Sequence, residues 1–279
     1  MALQSYPRVS VVIPAYNEAE MLPKLLGSLA VQTQVPYEVI VADGASTDGT
    51  RRVAEAYGCI LVAGGLPAVG RNAGAAVATG EYLLFLDADV VLPNEFLAAA
   101  HAEFDERYLE LATVIPRPDS GVRIDQLFFS INGLLMKSMQ QHYPVTFGAV
   151  MLMTRRLFWR VGGFDPSLRI DEDNHFGRQA RKFATFGVLT STEILLSVRR
   201  FETEGRLRLI HKYLQQGMFR QLKALGIDRS IEYEFGQFAA AGNLTDAEQR
   251  LEDLLATIEE WRTATRRQAE KVKTMLHLR

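Results

Sequence analysis

Five short apolar runs alternate with helical patterns through the first 115 residues, and that rhythm leaves little choice of architecture. Val9 to Ile13 ends at Pro14 and reads as a buried strand. Asn17 is placed to cap a helix carrying Met21, Leu22, Leu25, Leu26 and Leu29 on one side. Tyr37 to Ala42 is a second strand, ending at Asp43-Gly44, and Ser46 or Thr47 opens a helix through Val53 and Ala56. Cys59 to Val62 is a third strand, followed by Gly64-Gly65. Val69 to Thr79 reads as a small-residue helix that Gly80 stops. Tyr82 to Leu86, all apolar, is a strand covered on both faces. Pro93 starts a helix to about Phe104, and Leu109 to Ile115 is a further strand. Repeated βα units of this length predict a parallel, doubly wound sheet with right-handed crossovers. Ligands of such sheets sit beyond the carboxyl ends of the strands. Three polar segments fall there, Ala15 to Glu18, Asp43 to Asp48 and Asp87 to Asp89, so a single cleft could collect all three.

Beyond Ile115 the alternation weakens. A Pro/Gly/Asp turn, a long helix-like stretch and a strand-like run from Val145 to Met153 lead to the turn Gly162-Gly163-Phe164-Asp165. Residues 171–183 look helical, with Phe176 and Ala180 on one side. The segment Arg199 to Lys223 is basic, with seven Lys or Arg against Glu202 and Glu204. A capping box, Thr245 to Glu248, opens an amphipathic helix of roughly 30 residues through Leu251, Leu254, Leu255, Ile258, Trp261 and Met275.

Composition narrows the function classes. Apolar residues make up 48% and charged residues 23%, a globular profile. The net charge of −2 provides no global field for nucleic acid. The single cysteine, Cys59, excludes an internal disulfide and a cysteine-built zinc site. No signal peptide is read at the N-terminus, and no run of 18 apolar residues occurs. The expectation is a cytoplasmic protein, with peripheral contact on the inner face of the membrane left open. The C-terminal helix is expected to pack on the rest of the chain or to pair a homodimer.

Four clusters carry chemistry. In Asp87-Ala-Asp89 the turn after the strand can bring both carboxylates toward one ligand, and hard Mg²⁺ or Mn²⁺ takes one or two carboxylates plus phosphate oxygens. The bland alternative is a turn with an Asp helix cap. In the segment Asp43 to Thr50, Asp43 can accept hydrogen bonds from a base or ribose, whereas Asp48 and Thr50 suit capping and turning. In Gly70-Arg71-Asn72-Ala-Gly74 the cation either faces an anionic ligand or lies on the surface, the glycines serving close packing. In Asp171-Glu172-Asp173 the helix dipole alone favours three acids, yet crowded carboxylates also make a general base. The basic residues Arg199, Arg200, Arg206, Arg208, His211 and Lys212 suit a solvated face, a phosphate clamp or a lipid patch.

Taken in order, Val11-Val-Ile-Pro14-Ala-Tyr-Asn17-Glu18, Asp43-Gly-Ala-Ser-Thr-Asp48-Gly-Thr50, Gly70-Arg-Asn-Ala-Gly74 and Gly80-Glu-Tyr-Leu-Leu-Phe-Leu-Asp87-Ala-Asp89 resemble the family 2 glycosyltransferases. Gly148-Ala149, Gly162-Gly-Phe-Asp165 and Glu172-Asp173 extend the resemblance to about residues 8–190. The resemblance implies a GT-A fold: a mostly parallel central sheet flanked by helices, with a helical C-terminal extension. It divides the chain into a GT-A domain over 1–225, nucleotide-binding at about 8–115 and acceptor-binding at about 116–225, and the extension 226–279.

The implied activity is inverting, metal-dependent transfer of a sugar from a UDP, GDP or dTDP donor to a sugar or lipid-linked acceptor, with no nucleic acid involved. By position, Pro14, Ala15 and Glu18 would line the nucleoside pocket and Asp43 would hold the base. Arg71 would sit by the base or diphosphate, and Asp87 near ribose and metal. Asp89 would be the main ligand of Mg²⁺ or Mn²⁺, with His211 as a further ligand. Asp173 would be the base, with Glu172 beside it. No Gln-x-x-Arg-Trp motif occurs, which speaks against a processive synthase. Two rivals remain: a catalytically silent nucleotide-sugar-binding scaffold, and a haloacid-dehalogenase-type phosphatase, whose nucleophile motif Asp87-Ala-Asp89 imitates.

Overall fold

The computed structural model describes residues 8–140 and 146–210, with the isolated positions 213 and 249. The described residues form two compact units, one of residues 8–119 with 131–197 and the other of residues 120–130 with 198–210.

In chain order the elements are β1 (Val9–Ala15), α1 (Leu22–Ala30), β2 (Glu38–Asp43), α2 (Thr50–Ala56), β3 (Ile60–Ala63), α3 (Pro67–Val77), β4 (Tyr82–Leu86), β5 (Val90–Val91) and α4 (Phe96–Glu106). They continue with β6 (Leu111–Asp119), α5 (Arg123–Met139), β7 (Val150–Thr154), α6 (Arg155–Val161), α7 (Glu172–Ala180), β8 (Phe186–Ser197) and α8 (Arg199–Glu204). The sheet order is β3-β2-β1-β4-β7-β6-β8-β5. Strands β3, β2, β1 and β4 are mutually parallel, as the βα alternation predicts. The sheet as a whole is mixed, because β7 lies antiparallel between β4 and β6 and β5 is antiparallel to β8. The reason is topological. Strand β7 starts at the carboxyl edge of β4, with Val150 opposite Leu86, and so runs the other way.

The strands are covered on both faces, and their residues alternate between two cores. Val11, Ile13, Leu84 and Leu86 join Leu22, Leu25, Leu26 and the α4 residues Phe96, Leu97 and Phe104. Val12, Leu83 and Phe85 face the opposite core, with Ala75 of α3, Phe158 of α6 and Phe176 of α7. The expected side-by-side placement of Phe176 and Ala180 holds, both residues lying in that core.

Some local expectations need correction. Asn17 does not cap α1, whose N-cap is Met21; it sits in the left-handed region at φ 53° and its side chain is spent on another loop. Likewise α2 opens at Thr50, because Asp48 Oδ1 accepts from the Thr50 N–H. Helix α6 and the twelve-residue β8 lie where no periodic pattern is read from the residues. In the second unit Asp125, fully buried, accepts from Arg206 Nε at 3.1 Å and from Ser120 Oγ at 2.7 Å. Arg200 pairs with Glu204, so two of the basic segment's cations are held by carboxylates of their own unit. Among the described residues no helix is long and apolar enough to cross a membrane. His211, Lys212, the boundary at 225 and the amphipathic helix from Thr245 lie outside the described residues.

Candidate functional site

The carboxyl ends of β1 and β2 are sewn together by their following loops. Gly44 N donates to Ala15 O at 2.8 Å, Thr47 N to Asn17 Oδ1 at 2.8 Å, and Asn17 N to Ser46 Oγ at 2.9 Å. Glu18 N donates to Thr50 Oγ1 at 2.8 Å and Ala19 N to Asp48 Oδ2 at 3.0 Å. Burial opposes charge on Asp48, but bonds from Thr50 and Ala19 outweigh it and hold its carboxyl below the ordinary value. Asp48 and Thr50 therefore brace the loop of Glu18 and Ala19 beside Asp43, rather than capping α2, whose N-cap is Gly49.

Asp43 is 3% exposed and ends β2 level with Ala15. Its carboxylate accepts from Ser46 N at 3.3 Å and pairs with Arg51 at 3.2 Å. The loop after β3 closes on it: a Cβ on Gly64 would lie 2.7 Å from Ala42 O, so only glycine lets the backbones approach. Because β2, β1 and β4 are successive parallel neighbours, Asp43 and Asp87 end strands about 10 Å apart on one edge.

The second half of the site is built around Arg71. Helix α3 lies on β1 through glycines: a Cβ at Gly70 would lie 3.1 Å from Pro14 Cβ, and one at Gly74 would lie 2.3 Å from Val12 Cγ1. That approach sinks Arg71 to 2% exposure. Its Nη1 donates to Glu172 Oε1 at 2.5 Å, and its Nη2 to Asp87 Oδ1 at 2.8 Å and Gly148 O at 3.1 Å. The guanidinium carbon lies 5.5 Å from the Phe164 ring centroid, a cation–π distance. Burial works against the charge, but Asp87, then Glu172 and Asp173, outweigh it and hold the guanidinium above its ordinary pKa.

The antiparallel β7 is what brings Gly148 here. Asp87 N donates to Ala149 O at 3.1 Å, joining the end of β4 to the start of β7. Asp173 opens α7 with Glu172; its Oδ1 accepts from Asn174 N at 2.8 Å, and its Oδ2 lies 3.1 Å from where a Gly148 Cβ would stand. Of the acidic trio, Asp171 is set apart: it adopts φ 66° and pairs with Arg178 at 3.3 Å.

Asp89 lies in the turn between β4 and β5, partly exposed, and its backbone oxygen accepts from Ser197 N at 3.1 Å. Two carboxylates in one turn are a hard oxygen donor set and fit Mg²⁺ or Mn²⁺ in part. Among the described residues no three His, Cys, Asp or Glu form a complete metal cage, so a cation held here would draw its other ligands from phosphate and water.

Several residues of this site carried no sequence assignment. Asn72 clasps the backbone of Phe164, donating to its O at 2.7 Å and accepting from its N at 2.8 Å, which sets the ring under Arg71. Asn174 is 2% exposed and donates to Asp173 Oδ1 at 3.1 Å, while its own Oδ1 has no partner among the described residues. The dipeptides Arg71-Asn72 and Asp173-Asn174 were the available signals: a short amide beside an ionisable side chain can bond that side chain or the backbone around it.

A mixed α/β sheet with polar loops and carboxylates at the carboxyl ends of its parallel strands is an arrangement in which open α/β folds bind ligands. The chain belongs to glycosyl transferase family 2, whose model matches residues 10–162. It is 32% identical over 132 residues to the poly(ribitol-phosphate) beta-N-acetylglucosaminyltransferase TarS of Staphylococcus aureus, covering 44% of this chain and 23% of TarS. It is 39% identical over 189 residues to the glycosyltransferase AglE of Haloferax volcanii, covering 62% of this chain and 61% of AglE. The match thus spans less than two thirds of either relative. The crystal structure of S. aureus TarS 1-349 in complex with UDP superposes with a TM-score of 0.55 at 25% identity, covering 68% of this chain and 60% of that one. The mannosyltransferase PcManGT of Pyrobaculum calidifontis, in complex with GDP-Man and Mn²⁺, shares the fold with a TM-score of 0.60 at 22% identity, covering 81% of this chain and 67% of its own.

Proposed function

We propose that this chain is a non-processive, inverting glycosyltransferase that moves a sugar from a nucleoside-diphosphate donor to a hydroxyl of a sugar or lipid-linked acceptor. The observation carrying this reading is the joining of Asp87, at the end of β4, to Glu172, at the start of α7, through one buried arginine. On this reading Asp87 belongs to the donor side and Glu172 to the acceptor side of the site, and family membership with TarS and AglE supports the same assignment.

On this reading Pro14, Ala15 and Glu18 line the nucleoside pocket and Asp43 accepts from the base. Asp87 lies by the ribose, and Asp89 holds Mg²⁺ or Mn²⁺. The metal, when bound, supplies positive charge that stabilises the departing diphosphate. Asp173 accepts the proton of the acceptor hydroxyl as its oxygen forms a bond to the anomeric carbon. The bond from that carbon to the diphosphate oxygen breaks, and its electron pair leaves with the nucleoside diphosphate. Attack from the face opposite the leaving group inverts the anomeric centre. Glu172, bound to Arg71, fixes the start of the helix that carries the base.

The test is a thermal-shift panel of UDP, GDP and dTDP with and without Mn²⁺. One diphosphate should stabilise the wild type only with metal, and Asp89→Ala should abolish that dependence while keeping the unliganded midpoint. Asp173→Asn should keep nucleotide binding and lower transfer on the order of 100-fold or more. Binding without turnover of any donor to acceptor or water would leave a scaffold instead.

A further inference from the structure

We infer that Asn174 is a positioning residue for Asp173: it holds one carboxylate oxygen of the base so that the other faces the donor side of the site. The inference rests on the glycosyl-transfer reading above and deepens it by naming what sets the orientation of the proton acceptor.

Two donors of Asn174 fall on the same atom. Its backbone N–H donates to Asp173 Oδ1 at 2.8 Å, and its Nδ2 donates there at 3.1 Å. Chemistry dictates which way the amide lies, since turned over it would set its oxygen against a carboxylate oxygen, two acceptors with no proton between them. An oxygen that accepts two N–H bonds has its lone pairs less available to a proton, which makes Oδ2 the more basic of the two. Oδ2 lies 3.1 Å from the point that a Gly148 Cβ would occupy, and Arg71 Nη2, which holds Asp87, lies 3.4 Å from that same point. The oxygen left for the proton therefore faces the entry to β7, on the side where Asp87 ends β4. Gly148 is not in the left-handed region, so what its missing Cβ provides there is room. The far end of the amide carries a cost. Asn174 is 2% exposed, and its Oδ1 has no partner among the described residues. Leucine, similar in size and without a polar atom, would avoid that cost, so stability alone does not call for asparagine. What leucine lacks is the donor to Asp173.

Two measurements decide the matter. The first needs no turnover: thermal unfolding midpoints of Asn174→Leu, Asp173→Ala and the double variant. The two changes should be non-additive by roughly 2 °C or more, because each removes one partner of the same bond. Additivity overturns the inference.

The second follows hydrolysis of UDP-glucose, UDP-N-acetylglucosamine and GDP-mannose with Mn²⁺, water serving as acceptor, in wild type, Asn174→Leu, Asp173→Asn and their double variant. A positioning role predicts kcat about tenfold lower in Asn174→Leu, with donor KM within about threefold of wild type. It also predicts that the double variant falls no further than Asp173→Asn, because Asn174 acts only through Asp173. Unchanged kcat in Asn174→Leu overturns the inference, as does a further loss of about tenfold on top of Asp173→Asn. Wild-type kcat in Asp173→Asn would remove the base assignment and the inference with it. If the wild type turns over no donor, the transfer reading fails, while the unfolding cycle still decides whether Asn174 holds Asp173.

Discussion

Gly74→Ala tests whether close packing of α3 on β1 is what sets the site. The added Cβ would stand 2.3 Å from Val12 Cγ1, about 1 Å short of ordinary contact. Val12 cannot yield easily, because it is fully buried on a strand paired with β2 on one side and β4 on the other. Alanine in mid-helix gains about 1 kcal/mol over glycine, whereas overpacking a dense core costs about 1–3 kcal/mol, with a contact this close at the upper end. The net expectation is a loss of about 1–2 kcal/mol, or a midpoint lower by about 3–6 °C for a domain of this size.

The assay is urea unfolding followed by circular dichroism, with Val12→Ala as the companion. Val12→Ala alone should cost about 2 kcal/mol through its cavity, and the double variant should be better than additive by about 1 kcal/mol, because the new methyl fills that space. Wild-type stability in Gly74→Ala, or strict additivity in the double variant, would refute the packing argument. The argument for a sunken Arg71 would go with it.

Two further outcomes follow from local electrostatics. Burial pushes the Cys59 thiol up to about 11, so at pH 8 only ~0.1% is thiolate. Iodoacetamide should therefore label the native protein about 100-fold more slowly than the urea-unfolded chain, the native rate rising tenfold per pH unit up to pH 10. A native rate equal to the unfolded one at pH 8 would contradict that. Burial opposes charge on Glu38, but bonds from Ser10, Thr79 and Gly80 outweigh it and hold its carboxyl below the ordinary 4.5. A lowered folded value means stability that is present above pH 4.5 and lost as pH falls through the lowered value. Accordingly Glu38→Gln should be less stable than wild type near neutrality, with the gap closing in acid; a gap independent of pH would exclude ionisation as its source.

The parallel half of the sheet was legible because β1, β2 and β4 are apolar on both faces and β2 and β4 are punctuated by Gly44 and Asp87, signals that act within a few residues; Pro14 did not end β1, which runs on to Ala15 in register with β2. The polar segments at their ends were legible for the same reason, since a parallel strand order puts its carboxyl ends on one edge. Helix starts were less so. Asn17 and Ser46 have the chemistry of caps, yet each is used across loops, in bonds between residues 29 or 30 apart.

The sequence by itself determined the alternation, the acids at the strand ends and the motif order by which the family can be told. Tertiary structure alone decided that β7 would run antiparallel and deliver Gly148 to Asp87, and that Arg71 would be buried between carboxylates 16 and 101 residues away. Local patterns report what a residue can do. Which of two compatible roles it takes, surface cation or buried partner of anions, depends on how closely α3 approaches β1: Gly70 and Gly74 permit that approach, and packing against Pro14 and Val12, far away in sequence, decides it.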